Sequence, residues 1–198
     1  MFKSQNLLAF VVALVFLLPA CSRQKDEAAP QPVAGGGFNP GSAADLTFQA
    51  PAGWTVETPT SSMRRAQYRL PRAEGDPEDA EMVVFYFPGQ GGSVQSNIDR
   101  WVGMFTKADG SSAAGDAKTE KKTVNGLSVT TVDVEGVYTN QSMGPMAGAS
   151  GPKPDYRMLA AIVETPGGPW FFKLTGPKQT VGKWKASFDG FVQTIKKA

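Results

Sequence analysis

The chain has 198 residues, with 20 Lys and Arg, 18 Asp and Glu, no histidine and a formal net charge of +2. This near-neutral balance lacks the basic excess of nucleic-acid-binding proteins, so we expect no nucleic-acid partner. The absence of histidine excludes Ser-His-Asp and Cys-His catalytic sites, histidine-based zinc sites and imidazole proton transfer. Catalysis by carboxylates, lysine, tyrosine or serine-lysine pairs stays open, but we expect a protein that is not an enzyme and uses no cofactor.

The first 21 residues form a signal-peptide pattern. Lys3 precedes an apolar run over 7–18, which is shorter than the roughly 20 apolar residues that a membrane span needs. The segment ends on Leu18-Pro19-Ala20-Cys21, which contains the only cysteine of the chain. This ending resembles the lipobox of bacterial lipoproteins: Leu, a small residue, Ala or Gly, then Cys. The resemblance implies cleavage after residue 20 and attachment of a membrane-anchoring lipid at Cys21.

The residues after Cys21 predict a location and a tether. Ser22 stands where an aspartate would, in many Gram-negative lipoproteins, signal retention in the inner membrane. The resemblance therefore implies anchoring in the outer membrane, facing the periplasm. Residues 22–45 offer little to bury and predict a flexible tether. We thus expect a signal peptide over 1–20, an acylated cysteine and tether over 21–45, and one domain over 46–198.

The first half of this domain predicts strands followed by one helix. Strands are predicted over 46–50, from residue 54, over 67–70 and over 82–87. The last is a continuous apolar run, typical of a central strand buried on both faces. Ser93 is a predicted helix N-cap. Apolar residues at 94, 98, 101, 102 and 105 predict a helix that continues to about Lys107.

The second half predicts two hairpins and a closing helix. Asn125-Gly126, a strong hairpin signal, joins predicted strands over 119–124 and 127–135. A shift of apolar phase between Val129 and Val132 predicts a bulge near 130–131. Strands over 157–164 and 170–175 form the second hairpin. Apolar residues from 181 to 195 predict an amphipathic helix whose C-terminal dipole Lys196 and Lys197 would favour.

Consecutive hairpins with two apolar helix faces predict an α+β fold, a largely antiparallel β-sheet flanked by two helices. The domain opens on Phe48-Gln49-Ala50-Pro51-Ala52-Gly53-Trp54. With a central and a closing helix, this opening resembles the PsbP-like group, which includes photosystem II PsbP, DcrB-type bacterial lipoproteins and Mog-type proteins. Over 46–197 the resemblance implies an α/β/α sandwich and, because members mostly bind protein partners without catalysis, an interaction module. It implies no particular functional residue.

Two segments are candidate surfaces for a ligand or partner. Gly89, Gly91, Gly92 and Ser93 lie between a predicted strand and helix, where backbone N–H groups can bind an anion or lipid headgroup. The segment lacks the Walker and dinucleotide patterns, so a tight connection is the alternative.

The second segment, 139–155, contains Met143 and Met146. Thioethers suit Cu(I), with Met158 as a third ligand, but two methionines are sparse, and we favour a peptide- or protein-contacting loop and expect no metal site.

The acidic residues Asp76, Glu78, Asp79 and Glu81 form one more cluster. Paired carboxylates could hydrolyse glycosides, but nearby arginines favour a solvated, charge-balanced face, and we expect no catalytic residue. The leading hypothesis is a non-enzymatic lipoprotein that scaffolds or assists an envelope protein complex. The alternatives are an envelope protein that binds a small molecule or glycan such as peptidoglycan, and an unconventional hydrolase.

Overall fold

Apolar runs along the chain pair into an antiparallel sheet with a helix on each face. The computed structural model describes residues 46–139 and 151–198. The predicted signal peptide, Cys21, the tether, Met143 and Met146 lie outside these ranges. The elements are β1 (Leu46–Thr47), β2 (Thr55–Glu57), β3 (Arg64–Leu70), β4 (Ala80–Tyr86), α1 (Val94–Val102), β5 (Phe105–Thr106), β6 (Lys118–Val124), β7 (Leu127–Tyr138), β8 (Lys153–Glu164), β9 (Trp170–Pro177), α2 (Lys178–Thr194) and β10 (Lys196–Lys197).

Within the described residues the main sheet has eight strands in the order β2-β3-β4-β9-β8-β7-β5, and β6 also pairs with β7. Strands β1 and β10 form a separate pair. All the pairings are antiparallel. The predicted α+β class, a largely antiparallel sheet flanked by two helices, is confirmed.

The two faces of the sheet carry separate apolar cores. One face packs against α2, with Phe172, Phe188 and Phe191 at its centre. The other packs against α1 and the residues after it, around Trp101 and Phe171. Because successive side chains of a strand point to opposite faces, the central strands must be apolar at consecutive positions.

The helix α1 is too short to cover its whole face of the sheet. Its nine residues span about 14 Å, whereas the sheet is seven strands wide, because β5 and β6 lie along the same edge of β7. At about 4.8 Å between strands its width is about 29 Å. Its core partners come mainly from β7, β8 and β9. Part of the face formed by β3, β4 and β9 is therefore left open.

Two local predictions are confirmed. The predicted central strand is β4, which pairs with β3 and β9 and buries Met82, Val83 and Val84 in succession. The Asn125-Gly126 turn joins β6 to β7 with φ of 48° and 78°, as a two-residue hairpin turn of type I′ requires. The Asn125 amide also donates to two carbonyls at the end of α2, at 3.0 and 2.8 Å.

The predicted bulge near 130–131 is wrong. The β6–β7 register runs without interruption, and the irregularity lies between β7 and β8, near Gly136. The apolar phase shifts because the apolar side chains at the start of β7 point toward α2, whereas those farther along point toward α1. Val129 packs into the α2-side core, whereas Val132 and Val134 pack into the α1-side core.

Both helix ends differ from the sequence prediction. Helix α1 ends at Val102, and Phe105 belongs to β5, opposite Tyr138. Phe105 is buried in β5, so an apolar residue is expected at this position whether it belongs to a helix or to a strand. Lys196 and Lys197 lie beyond α2, in β10. No helix in the described part of the chain is long and apolar enough to cross a membrane.

Candidate functional site

A cleft of about 540 Å³ lies where α1 leaves the sheet uncovered, and we call it the aromatic cleft. It is bounded by β3, β4 and β9, by α1, and by the facing ends of β7 and β8. Its aromatic lining consists of Phe85, Phe87, Trp101, Tyr138, Tyr156 and Phe171. Its charged lining consists of Arg64, Glu78, Asp79, Glu81, Arg100, Lys153 and Lys173.

Ring contacts fix the aromatic walls. Trp101 meets Phe171 edge to face, with ring centroids 5.6 Å apart. Tyr138 and Tyr156 stack at 5.8 Å with their planes 8° apart. Paired rings in these geometries are stabilised beyond their area burial. The cleft is thus a preformed apolar surface held by two packed pairs.

The carboxylates of the cleft are engaged by cations. Arg64 Nη1 donates to Glu81 Oε1 at 2.7 Å, and Lys153 Nζ donates to Glu78 Oε1 at 2.6 Å. Asp79 accepts from the Arg72 backbone N–H and the Arg69 guanidinium, which lower its pKa. The acidic cluster is therefore charge-balanced on its cleft side.

Asp76, the other member of the acidic cluster, turns away from the cleft toward the start of α2. Its carboxylate accepts from the Thr180 backbone N–H at 2.7 Å and also from the Thr180 hydroxyl. The N-cap residue of α2 is Pro177, whose side chain makes no hydrogen bond to the first N–H groups of the helix. Asp76 thus supplies the helix cap from a distant loop, with a charge that favours the helix dipole.

Two cations of the cleft have no carboxylate partner among the described residues. Lys173, in the middle of β9, places Nζ 5.5 Å from the Trp101 ring centroid and makes no ion pair. Arg100, on α1, donates to the Asn97 side-chain oxygen at 2.7 Å and makes no ion pair either. Burial, and next the charge of Arg100, lower the pKa of Lys173 to about 8. The cleft therefore contains two positive charges that no ion pair neutralises within the described residues.

Lys173 and Arg100 were not singled out by the sequence analysis. The available signal is a single lysine within the apolar strand Trp170-Phe171-Phe172-Lys173-Leu174. In a strand with both faces buried such a lysine must lie in a core or a cavity.

The predicted glycine turn forms a packed junction between two loops. The Gly89 N–H donates to the Gly167 carbonyl at 3.1 Å. A Cβ on Gly91 would lie 2.0 Å from a ring carbon of Pro169. This close approach explains the glycine at position 91 and favours the tight-connection interpretation of the turn.

Ser93 is the N-cap of α1, as predicted. Its hydroxyl oxygen accepts the Ser96 backbone N–H at 3.1 Å. A second hollow, of about 590 Å³, lies beside this helix end and is lined by Gly92, Ser93 and the pair Lys121–Glu164. The Ser93 hydroxyl occupies the Ser96 N–H, and the Glu164 carboxylate repels negative charge, so both disfavour an anion in this hollow. Anion binding by the glycine turn itself stays a prediction.

The structure removes one proposed copper ligand. Met158 is fully buried in the α1-side core, in the middle of β8, and so cannot join a loop site. Within the described ranges no group of three or more His, Cys, Asp or Glu residues is placed to hold a metal ion.

The strand pairing defines the class of this domain as antiparallel α+β. Neither a protein-family model nor a curated protein sequence matches the chain. Solved structures do show similarity. PA94, a protein of unknown function from Pseudomonas aeruginosa, is 12% identical, with a TM-score of 0.46 over 67% of this chain and 81% of that one. The cyanobacterial PsbP protein CyanoP from Synechocystis sp. is 13% identical, with a TM-score of 0.47 over 77% of this chain and 86% of that one.

CyanoP is by its name a PsbP protein, and the PsbP-like group is the one that the opening residues of this domain resemble. At these identities the similarity concerns the course of the backbone alone.

Proposed function

We propose that this protein is a non-enzymatic binding module of the bacterial envelope, held at the outer membrane by a lipid on Cys21. The observation that carries the binding role is the aromatic cleft, which is preformed, faces solvent and contains two cations, Lys173 and Arg100, that make no ion pair with any described residue. Ligand sites in proteins combine such apolar walls with a few placed polar groups. The cleft carboxylates are already paired, which favours binding over proton transfer.

The lipid anchor is tested by feeding the bacterial host an alkyne analogue of palmitate and isolating the protein. The wild-type chain is expected to carry the label and to start at Cys21, and to band with outer-membrane vesicles in a sucrose gradient. Cys21→Ser should carry no label, whereas Ser22→Ala, which keeps the cysteine, should label as the wild type does. Label on Cys21→Ser, or none on the wild type, contradicts the anchor.

The cleft is tested with a neutral apolar probe, N-phenyl-1-naphthylamine, whose fluorescence rises on leaving water. Thr175 lines the cleft and is half-buried, so Thr175→Trp should fill it and abolish saturable binding. Thr123 is exposed on β6, and Thr123→Trp is the matched control. Equal binding by both variants places the probe elsewhere and argues against the cleft as a ligand site.

A protein partner is a second candidate, favoured by an exposed apolar side chain at the cleft. Met63, which lines the cleft, is 58% exposed. Val56 is 51% exposed, but it stands opposite Tyr68, which packs into the α2-side core, and so lies on the other face of the sheet. Affinity purification from crosslinked envelopes would compare wild type, Cys21→Ser and Met63→Lys, with Val56→Lys as the matched control. A stoichiometric partner lost in Met63→Lys but kept in Val56→Lys supports a scaffolding role. Co-sedimentation with insoluble peptidoglycan, unaffected by Met63→Lys, supports glycan binding instead.

A further inference from the structure

Building on the proposed cleft function, we propose that the aromatic cleft selects an anionic ligand with an aromatic or other apolar body. The anionic group, a carboxylate, phosphate or sulfonate, is held by Lys173 and Arg100. The body lies against the rings around Trp101 and Phe85. The inference concerns the ligand's charge, which the proposed function leaves open.

The first step is the arrangement of charge. Three of the cations near the cleft are neutralised: Arg64 by Glu81, Lys153 by Glu78 and Arg69 by Asp79. The two that remain, Lys173 and Arg100, are close enough for the charge of Arg100 to act on the Lys173 ammonium. Glu81 attracts Lys173 but forms its ion pair with Arg64. Like charges held close together repel each other, and a bound anion would offset that repulsion.

The second step is the cost of placing a lysine there. Lys173 lies between Phe172 and Leu174, both completely buried. Its register partner on β4 is Val83, and on β8 it is Ala160, both buried. Among the described residues, two interactions favour the Lys173 ammonium: its position over the Trp101 ring and the attraction of Glu81, with which it makes no ion pair. Together they offset only part of the desolvation of the charge, so a structural role alone does not account for a cation at this position.

The third step is the apolar body of the ligand. The rings of Phe85 and Phe87 stack 6.1 Å apart on the β4 side, and both are half-buried. On the α1 side the Trp101 ring stands beside Lys173. A ligand whose anion reaches Lys173 therefore meets aromatic surface on both sides, which favours a planar or apolar body over a bare inorganic ion.

The test uses two fluorescent probes that share one aromatic body. 8-Anilino-1-naphthalenesulfonate carries a sulfonate, and N-phenyl-1-naphthylamine is the same ring system without it. Both are titrated against the chain from residue 21 onward carrying Cys21→Ser, so that no lipid competes for the probe. The wild-type protein should bind the sulfonate at least about tenfold more tightly, the scale of one charge-assisted hydrogen bond.

Variants assign the difference to particular cations. Lys173→Gln and Arg100→Gln should each weaken sulfonate binding about tenfold and change neutral-probe binding by less than about twofold. The Arg100 side chain is exposed, so its variant carries little risk of unfolding. Lys183→Gln is the matched control, since Lys183 also lies over a tryptophan, Trp184 at 5.2 Å, but on α2 across the sheet.

The outcomes separate the two proposals. Equal affinity for both probes, unchanged in Lys173→Gln and Arg100→Gln, overturns anion selection and leaves a neutral apolar ligand site. Saturable binding of neither probe overturns the cleft as a ligand site altogether. Sulfonate binding lost equally in Lys183→Gln shows a general charge effect and also overturns the inference. Benzoate displacing the sulfonate where benzyl alcohol does not supports it.

Discussion

Replacing Lys173 by methionine is expected to stabilise the protein against unfolding at neutral pH. Burial, together with the charge of Arg100, lowers the pKa of Lys173 from 10.5 to about 8, while Arg64 acts in the same direction and Glu81 opposes it. At pH 7 the lysine is charged in the folded and the unfolded protein, so folding bears the full cost of burying the ammonium. Methionine keeps the aliphatic stem of the side chain and removes the charge.

The lowered pKa corresponds to about 3–4 kcal/mol, at about 1.4 kcal/mol for each pH unit. Loss of the ammonium contact with Trp101 costs about 1 kcal/mol. The net gain expected for Lys173→Met at pH 7 is therefore about 2–3 kcal/mol. As the pH rises from 8 to 10.5, folded Lys173 loses its proton while the unfolded lysine keeps it, so wild-type stability rises relative to the variant. At pH 10 the burial cost remaining in the wild type is about 1 kcal/mol.

Urea unfolding of wild type and Lys173→Met at pH 7 and at pH 10 measures both quantities. Lys183→Met provides the control, because it removes a lysine that is exposed on α2. A gain at pH 7 that shrinks by pH 10, absent from the control, is the expected result. A variant less stable than wild type at pH 7, or a gain of the same size at both pH values, would refute the charge-burial reasoning.

Two further substitutions test the packing of the domain. Gly91→Ala should destabilise the fold by about 1–3 kcal/mol, because its Cβ would lie 2.0 Å from a proline ring carbon. Thermal unfolding measures the effect, with Gly115→Ala as the control, since a Cβ on Gly115 would meet no atom within 4 Å. Asp133→Asn should cost about 1–3 kcal/mol, because Asp133 accepts two hydrogen bonds from Arg157, at 2.8 and 2.6 Å, with both side chains about four-fifths buried. Asp189→Asn breaks an exposed pair on α2 and should cost less than about 0.5 kcal/mol; equal urea midpoints for the two aspartate variants would contradict the role of burial.

Local sequence signals predicted much of the fold. The apolar run of β4, the Ser93 cap and the Asn125-Gly126 turn each depend on neighbouring residues alone, and each lies in the structure where the sequence places it. The errors arise where distant residues decide. Phe105 continues the apolar face of α1, but pairing with Tyr138 makes it a strand residue.

The site depended on tertiary structure more than the fold did. Glycines, methionines and clustered carboxylates stand out in the sequence because they form short motifs. Lys173 and Arg100 are separated by 73 positions and become neighbours only because β9 passes beneath α1. Whether α1 covers that part of the sheet depends on its length, and α1 ends at Val102, about five residues before the end that its apolar pattern predicts.

The pairing of β1 with β10 brings the two ends of the domain next to each other. Leu46 stands opposite Lys197, so a short linker from Ala198 to Leu46 should close the backbone into a ring. New ends can be opened at Gly110, which lies in an exposed loop with nothing within 4 Å of its Cβ position. Such a permuted chain would keep the aromatic cleft, and with the lipid anchor proposed above it would be attached through a different point of its surface. Under that proposal, the orientation of the cleft toward the bilayer could be changed without altering the residues that form the cleft.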